Sequence, residues 1–101
     1  DDMALESAMT TRARYIGLMG SRRKNMMIFQ CLLRQGVLTE RLKQVHAPIG
    51  LDIGALTPEE IAVSIMSEII MVRRGGKGTP LQMDDWFVDR AASIVERKVE
   101  V

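Results

Sequence analysis

One cysteine and one histidine serve the whole of this 101-residue chain. A single thiol, Cys31, excludes an internal disulfide framework and fits a reducing compartment. A lone imidazole, His46, with no cysteine or aspartate at ligand spacing, gives no metal site to expect. Charge of one sign is missing too: 14 basic against 13 acidic residues leave a net +1, unlike the strongly basic balance of a nucleic-acid-binding domain. No apolar run approaches the ~20 residues that span a bilayer. The Asp1-Asp2 start lacks the basic-then-apolar layout of a signal peptide, so the expected compartment is cytoplasmic. Nucleophile–base pairs, paired catalytic carboxylates and Walker-type loops are equally absent, and a non-enzymatic role is expected.

What is present is apolar mass. Hydrophobic residues make up 47% of the chain, enough for one globular domain that buries roughly 65% of its unfolded surface. The best-marked feature is the run from Val45 to Ala62. A loop rich in glycine and proline (His46-Ala47-Pro48-Ile49-Gly50-Leu51-Asp52-Ile53-Gly54) leads into a helix start with three signals at once. Thr57 is the N-cap, Pro58 takes the first helical position, and Glu60 completes a Thr-x-x-Glu capping box. Leu56 and Ile61 are spaced for a hydrophobic staple. The loop is thereby delivered beside a positive helix terminus, a place to hold an anion or polar ligand.

Along the chain, residues 1–13 read as a helix with Leu5, Ala8, Met9 and Arg12 at helical spacing. Tyr15-Ile16-Gly17-Leu18-Met19 reads as a short buried parallel strand that hands over at Gly20-Ser21 to a helix from about Arg22 to Gln35. On that helix Ile28, Cys31, Leu32 and Gln35 share a face, Cys31 as an inert packing residue, and Gly36 is the stop. Thr39 is expected to cap a small helix through Gln44. Residues 58–74 form the longest helix, apolar on more than one face through Ile61, Ala62, Ile65, Met66, Ile69, Ile70 and Val72, and expected to be deeply buried. Arg73-Arg74-Gly75 closes it. A break from Gly75 to Pro80 precedes a last helix, capped by Asp84 or Asp85, with Val88, Ala91, Ala92, Val95 and Val99 on one stripe. Pro48 and two glycines argue against a central strand through Ile49, Leu51 and Ile53. One confident strand cannot pair with itself, so its partner strands are expected from a larger α/β domain or from another chain.

Two blocks, Tyr15-Ile16-Gly17-Leu18-Met19-Gly20-Ser21-Arg22-Arg23-Lys24 and His46 to Gly54, together with Thr57-Pro58-Glu59-Glu60-Ile61-Ala62 and Arg73-Arg74-Gly75, closely resemble the C-terminal half of the Rossmann domain in the XdhC/CoxI family. These are accessory proteins for xanthine dehydrogenase and related molybdenum hydroxylases. The resemblance spans roughly residues 1–75 and leaves 76–101 as a glycine-rich linker and amphipathic helix. It implies an α/β fold, the helix-rich second half of a doubly wound Rossmann-like domain, without the family's glycine-rich first turn or its preceding N-terminal segment. It also implies a chaperone: family members bind molybdenum cofactor (molybdopterin), protect it while a cysteine desulfurase installs the sulfido ligand, and pass it to the hydroxylase.

The residues that would carry such a site can be weighed singly. Ser21, Arg22, Arg23 and Lys24 open a helix directly after a strand, so backbone N–H groups and three cations converge where a phosphate or pterin pyrophosphate would sit. Three cations at a positive helix end cost a few tenths of a kcal/mol each, which points to a ligand rather than a merely solvated first turn. His46 is expected as a cofactor contact or a loop-fixing hydrogen bond. Asp52 serves equally as a local cap or a contact to a polar ligand edge, and Gly50 and Gly54 permit special backbone angles or close ligand approach. A nucleotide-dependent oxidoreductase is the first alternative, weakened by the missing glycine-rich turn and acidic ribose ligand. The second is a structural module that dimerises through its exposed strand edge. That open edge makes a homo-oligomer the expected assembly.

Overall fold

The computed structural model describes residues 2–99 as five helices joined by irregular segments. Helix α1 (Asp2–Met9) stops four residues earlier than its periodicity predicts. The hydroxyls of Thr10 and Thr11 turn back and donate to the carbonyls of Ser7 and Ala8 at 2.7 and 2.6 Å, taking over the last turn's acceptors. Helix α2 (Arg22–Arg34) begins at its predicted cap, where Ser21 Oγ accepts from Lys24 N–H at 3.1 Å. It ends in a Schellman motif, with Gly36 N–H donating to Leu33 O and Val37 N–H to Leu32 O, both at 3.1 Å. Helix α3 (Thr39–Leu42) corrects the sequence reading: Thr39 is its first residue, and Leu38 occupies the cap position with no side-chain bond. The Arg41 guanidinium instead clasps the Met9 carbonyl at the end of α1.

The core is small. Leu5 and Met9 of α1, Ile28 and Leu32 of α2, and Leu42 and Val45 form one buried cluster, with Leu32 wholly enclosed. Cys31 sits at its edge, half-buried, where its thiol donates to Asp2 Oδ2 at 3.2 Å. That bond, and then burial, push the Cys31 thiol above its ordinary pKa.

The predicted strand contracts to a single parallel bridge, Gly17 with His46, and no extended sheet is present among the described residues. Its hydrogen bonds are regular: His46 N–H to Ile16 O and Leu18 N–H to His46 O, both at 2.9 Å, then Ile49 N–H to Leu18 O at 3.0 Å. The partner therefore comes from this chain itself, from the residues around His46, and not only from another domain or chain. A side chain at Gly17 would collide with Ile49, so the close pairing requires glycine there.

Helix α4 (Pro58–Arg74) carries the complete capping box: Thr57 Oγ1 accepts from Glu60 N–H at 3.2 Å, and Glu60 Oε1 accepts from the N–H groups of Thr57 and Leu56 at 2.9 Å each. Those N–H groups, Thr57's first, hold the Glu60 carboxyl below its ordinary pKa. Gly75, at φ +73°, closes the helix in the left-handed region. Its burial overturns the expectation. The residues turned inward are Ser64 and Glu68, whereas Ile61, Met66, Ile70 and Val72 are exposed and Ile65 and Ile69 half-buried. Its apolar face outruns the surface this chain offers to cover it.

Helix α5 (Asp85–Val99) follows an irregular segment and contributes to the 74 Å length of the molecule. Val88, Ala91, Ala92 and Val95 are exposed along it, and the Val99 side chain lies outside the described residues. Trp86 meets Phe87 edge-on at 4.9 Å, and Arg90 lies over the Trp86 ring. No helix among the described residues is long and apolar enough to cross a membrane.

These burials rank two substitutions. Leu32→Ala removes the wholly enclosed side chain and is expected to cost about 2–5 kcal/mol. Thr57→Ala removes half of an exposed capping box and should cost about 1 kcal/mol. Denaturant melts that placed Thr57→Ala above Leu32→Ala would contradict this distribution of the core, and Ile65→Ala should fall well below Leu32→Ala.

Candidate functional site

Because the two paired segments run parallel, their C-terminal ends emerge on the same edge. One continues through Met19-Gly20 into the Ser21 cap of α2. The other passes through the cis Ala47–Pro48 bond into the loop that ends at Thr57. In open α/β sheets the edge where strands hand over to helices is where ligands bind. A cleft lies there, lined by Arg22, Asn25, Met26, Phe29, Ala47 and Pro48. The structure thus brings the first turn of α2, through Arg22, against the start of the His46 loop, at Ala47 and Pro48.

The individual residues divide. Ser21 spends its hydroxyl on the cap, and Arg22, Arg23 and Lys24 are exposed around a helix terminus whose first N–H groups have no intrahelical acceptor. Arg22 alone of the three cations lines the cleft. Asp52 and Gly54 are exposed farther along the loop and do not line it. Gly50 and Gly54 both adopt positive φ, +105° and +74°. At Gly50 space is limiting as well, since a Cβ would stand 2.5 Å from Ser64 Oγ.

His46 is engaged behind the cleft. Its ring stacks on Tyr15, centroids 4.7 Å apart and planes 16° from parallel, and its Nδ1 lies 3.6 Å from Glu68 Oε2. Glu68, only 8% exposed, is the centre of this cluster. One oxygen accepts from the Tyr15 hydroxyl at 2.5 Å and from the Gly50 N–H at 3.1 Å. One turn earlier on α4, Ser64 Oγ donates to the Leu51 carbonyl at 2.5 Å, and Leu51 N–H donates back to Ser64 O. Strand start, loop and α4 are therefore tied by polar contacts, and the His46 ring lies among them, stacked on Tyr15 and near Glu68. Burial first, then the bond to Glu68 and its charge, push the Tyr15 phenol well above its ordinary pKa.

Tyr15, Ser64, Glu68 and Asn25 escape the sequence reading, though each leaves a trace. Ser64 and Glu68 stand four apart in the mostly apolar middle of α4, and Asn25 stands at i−3 and i−7 from Ile28 and Leu32, on the stripe that packs inward. Polar residues at core spacing are the readable signal. Among the described residues no group of three His, Cys, Asp or Glu is placed to hold a metal ion.

Comparison with known proteins decides the kinship. The XdhC Rossmann domain family matches residues 1–69, which contain the bridge, the cleft, the loop and Glu68. The chain belongs to the XdhC family. It is 38% identical over 78 residues to the uncharacterized protein YqeB of Escherichia coli (strain K12), covering 77% of this chain and 14% of YqeB. It is 34% identical over 76 residues to a Bacillus subtilis (strain 168) protein named as a probable xanthine dehydrogenase subunit, covering 73% of this chain and 20% of that protein. The chain thus spans a fifth or less of the length of these relatives. Helix α5 lies beyond the family match.

Tyr15 is the sole tyrosine, so phenolate absorbance reports on it alone. Its pKa in the folded chain lies above the unfolded value of 10.0. Its contribution to stability is therefore complete below pH 10 and is lost as the pH rises beyond it. The phenol should titrate at higher pH in the folded chain than in denaturant, and Glu68→Gln should lower the folded midpoint by removing the neighbouring charge. Equal midpoints in folded and denatured protein would show that the Tyr15–Glu68 contact does not form.

Proposed function

We infer that this chain carries the cofactor-binding edge of an XdhC-type accessory protein serving the maturation of a xanthine dehydrogenase-like molybdenum hydroxylase. The observation that carries this reading is the meeting, in one cleft, of the α2 terminus and the Ala47–Pro48 segment, both within the family match. The segment from Gly17 through α2 and α3 to His46 has the form of a βαβ crossover. That favours reading the chain as part of a doubly wound α/β domain. The B. subtilis relative, whose name is that of a probable xanthine dehydrogenase component, supports the link to that enzyme class.

The residues present fit an anionic cofactor with a polar ring. Arg22 offers a planar, charge-assisted fork, Arg23 and Lys24 raise the local potential, and the helix terminus adds its own partial positive charge, although Ser21 Oγ already takes the Lys24 N–H. Asp52, on the exposed stretch of the loop, is available to the far rim. Molybdenum cofactor bound here would supply metal-centred chemistry to its eventual hydroxylase, and this chain's residues would bind and shelter it. Glu68 and Tyr15 face one another rather than the cleft, so they act as the brace that sets the loop. Release to the hydroxylase, and loading in the presence of a cysteine desulfurase, belong to the same proposal, as does self-association through the open strand edge.

The test is retention of cofactor. Arg22→Ala combined with Arg23→Ala should lower bound molybdenum cofactor per protein after gel filtration by roughly tenfold or more, the scale of losing charge-assisted contacts. The circular dichroism should be unchanged, and the difference should shrink as salt rises. Equal retention by the double variant would reduce these arginines to a solvated helix start.

A further inference from the structure

Asn25 is the anomaly of the cleft. It lines the cleft, it is 3% exposed, and neither its Nδ2 nor its Oδ1 has a hydrogen-bond partner. A buried carboxamide with both atoms unpaired is costly, and native structures keep few such groups without a reason. The position is one where apolar residues serve: Asn25 shares its helix face with buried Ile28 and Leu32. Its amide oxygen faces the Gly20 turn, where a Cβ would stand 3.6 Å from Oδ1 and 3.6 Å from Lys24 Cδ. Gly20, at φ +114°, carries no such atom and leaves that space open. The amide therefore sits where the strand ends and α2 begins, beneath the first-turn cations.

The chemistry of a carboxamide narrows what can satisfy it. It presents an N–H donor beside a C=O acceptor. A simple oxyanion would pair with Nδ2 alone and set negative charge against Oδ1. A group that offers a donor and an acceptor side by side, the cis-amide edge of a lactam, satisfies both atoms together. The rest of the cleft suits a flat ring with such an edge, because Met26, Phe29 and Pro48 supply apolar walls and Arg22 supplies a cation at the rim.

We propose that Asn25 is the specificity residue of this cleft, reading the lactam edge of a flat oxo-heterocycle whose anionic portion is held by the α2 terminus. The inference rests on the cofactor-binding reading and names which face of the ligand is recognised and by what. The two amide atoms are covered in the free chain, so engagement requires the lining of the cleft to shift, and Arg22, exposed at its rim, is the cation a ligand anion would meet there.

The experiment follows the Asn25 side-chain amide and the Arg22 and Ala47 backbone amides by nuclear magnetic resonance in this 101-residue chain, with four probes: free pterin, guanosine, caffeine and inorganic pyrophosphate. Pterin and guanosine both carry a lactam edge, and caffeine, with its ring N–H positions methylated, offers carbonyls but no N–H donor. The lactam probes should shift the Asn25 amide signals and caffeine should leave them in place, the stronger of pterin and guanosine identifying the ring system preferred. In Asn25→Leu the lactam probes should no longer shift the Arg22 and Ala47 backbone amides, while the melting temperature stays level or rises, because an unpaired buried amide has been replaced by hydrocarbon. A fall in melting temperature for Asn25→Leu would overturn the proposal by showing that the amide has a structural partner. It is equally overturned if millimolar pterin and guanosine leave the Asn25 signals unmoved. In that event, pyrophosphate still shifting the Arg22 and Arg23 backbone amides would leave the anion-binding reading standing, and no response to any probe would remove both.

Discussion

A single buried carboxylate organises the part of this chain that faces a ligand. Glu68 accepts from the Tyr15 hydroxyl at the start of the bridged strand and from the Gly50 N–H in the loop, and approaches the His46 ring. Three segments distant in sequence thereby acquire one reference point. A carboxylate so enclosed must have its lone pairs satisfied, since an unpaired buried charge is far more costly than a neutral group. That requirement fixes the loop more tightly than packing would, because Leu51 and its neighbours contribute little buried apolar surface there. The capping box at Thr57 and Glu60 then anchors the loop's other end. The loop is held at Gly50 and Leu51 on one side and at Leu56 and Thr57 on the other, while Asp52, Ile53 and Gly54 between them stay exposed, a disposition suited to binding.

Local signals were legible, and they were the ones with a backbone mechanism. The Thr57 box, the Ser21 cap, Pro58 and the glycine stops at Gly36 and Gly75 depend only on residues within a turn of one another. The hydroxyl ends of α1 and the uncapped start of α3 show the limit of that logic. Thr39 looks like a cap by type, yet Leu38 has the extended backbone and Thr39 is already helical. The two blocks that carry the family resemblance meet at the cleft through Arg22 and the Ala47–Pro48 segment, while Asn25, Met26 and Phe29, which complete its lining, follow the first block and carried no family signal of their own. Long-range partners were not legible. Nothing in the spacing of Glu68 says that Tyr15, 53 positions away, will donate to it. The strand's partner was missed for a related reason: Pro48 and the glycines suppress a strand pattern, yet one residue, His46, suffices for a bridge.

The most informative disagreement concerns α4. Its apolar periodicity predicts a buried helix, and its observed inward face is Ser64 and Glu68. Both facts hold if apolar patterning records every surface a helix is built to meet, while this chain presents only one of them. The relatives, at five or more times the matched length, have ample further chain to present the others. Exposed Ile61, Met66 and Ile70 are then the residues such further surfaces would cover.

The polar seam between α4 and the loop has a thermodynamic signature of its own. Separating these two elements would break hydrogen bonds at Glu68 and Ser64 and expose little hydrocarbon, whereas melting the Leu5–Leu32–Leu42 cluster exposes mostly hydrocarbon. Apolar exposure raises heat capacity and polar exposure lowers it. Opening of the seam therefore carries a small heat-capacity change, and its free energy varies gently and nearly linearly with temperature. The core obeys the strongly curved law of hydrophobic burial. Cooling that weakens the core leaves the seam nearly untouched, so the loop keeps its place at temperatures where the cluster beneath α1 and α2 has begun to loosen.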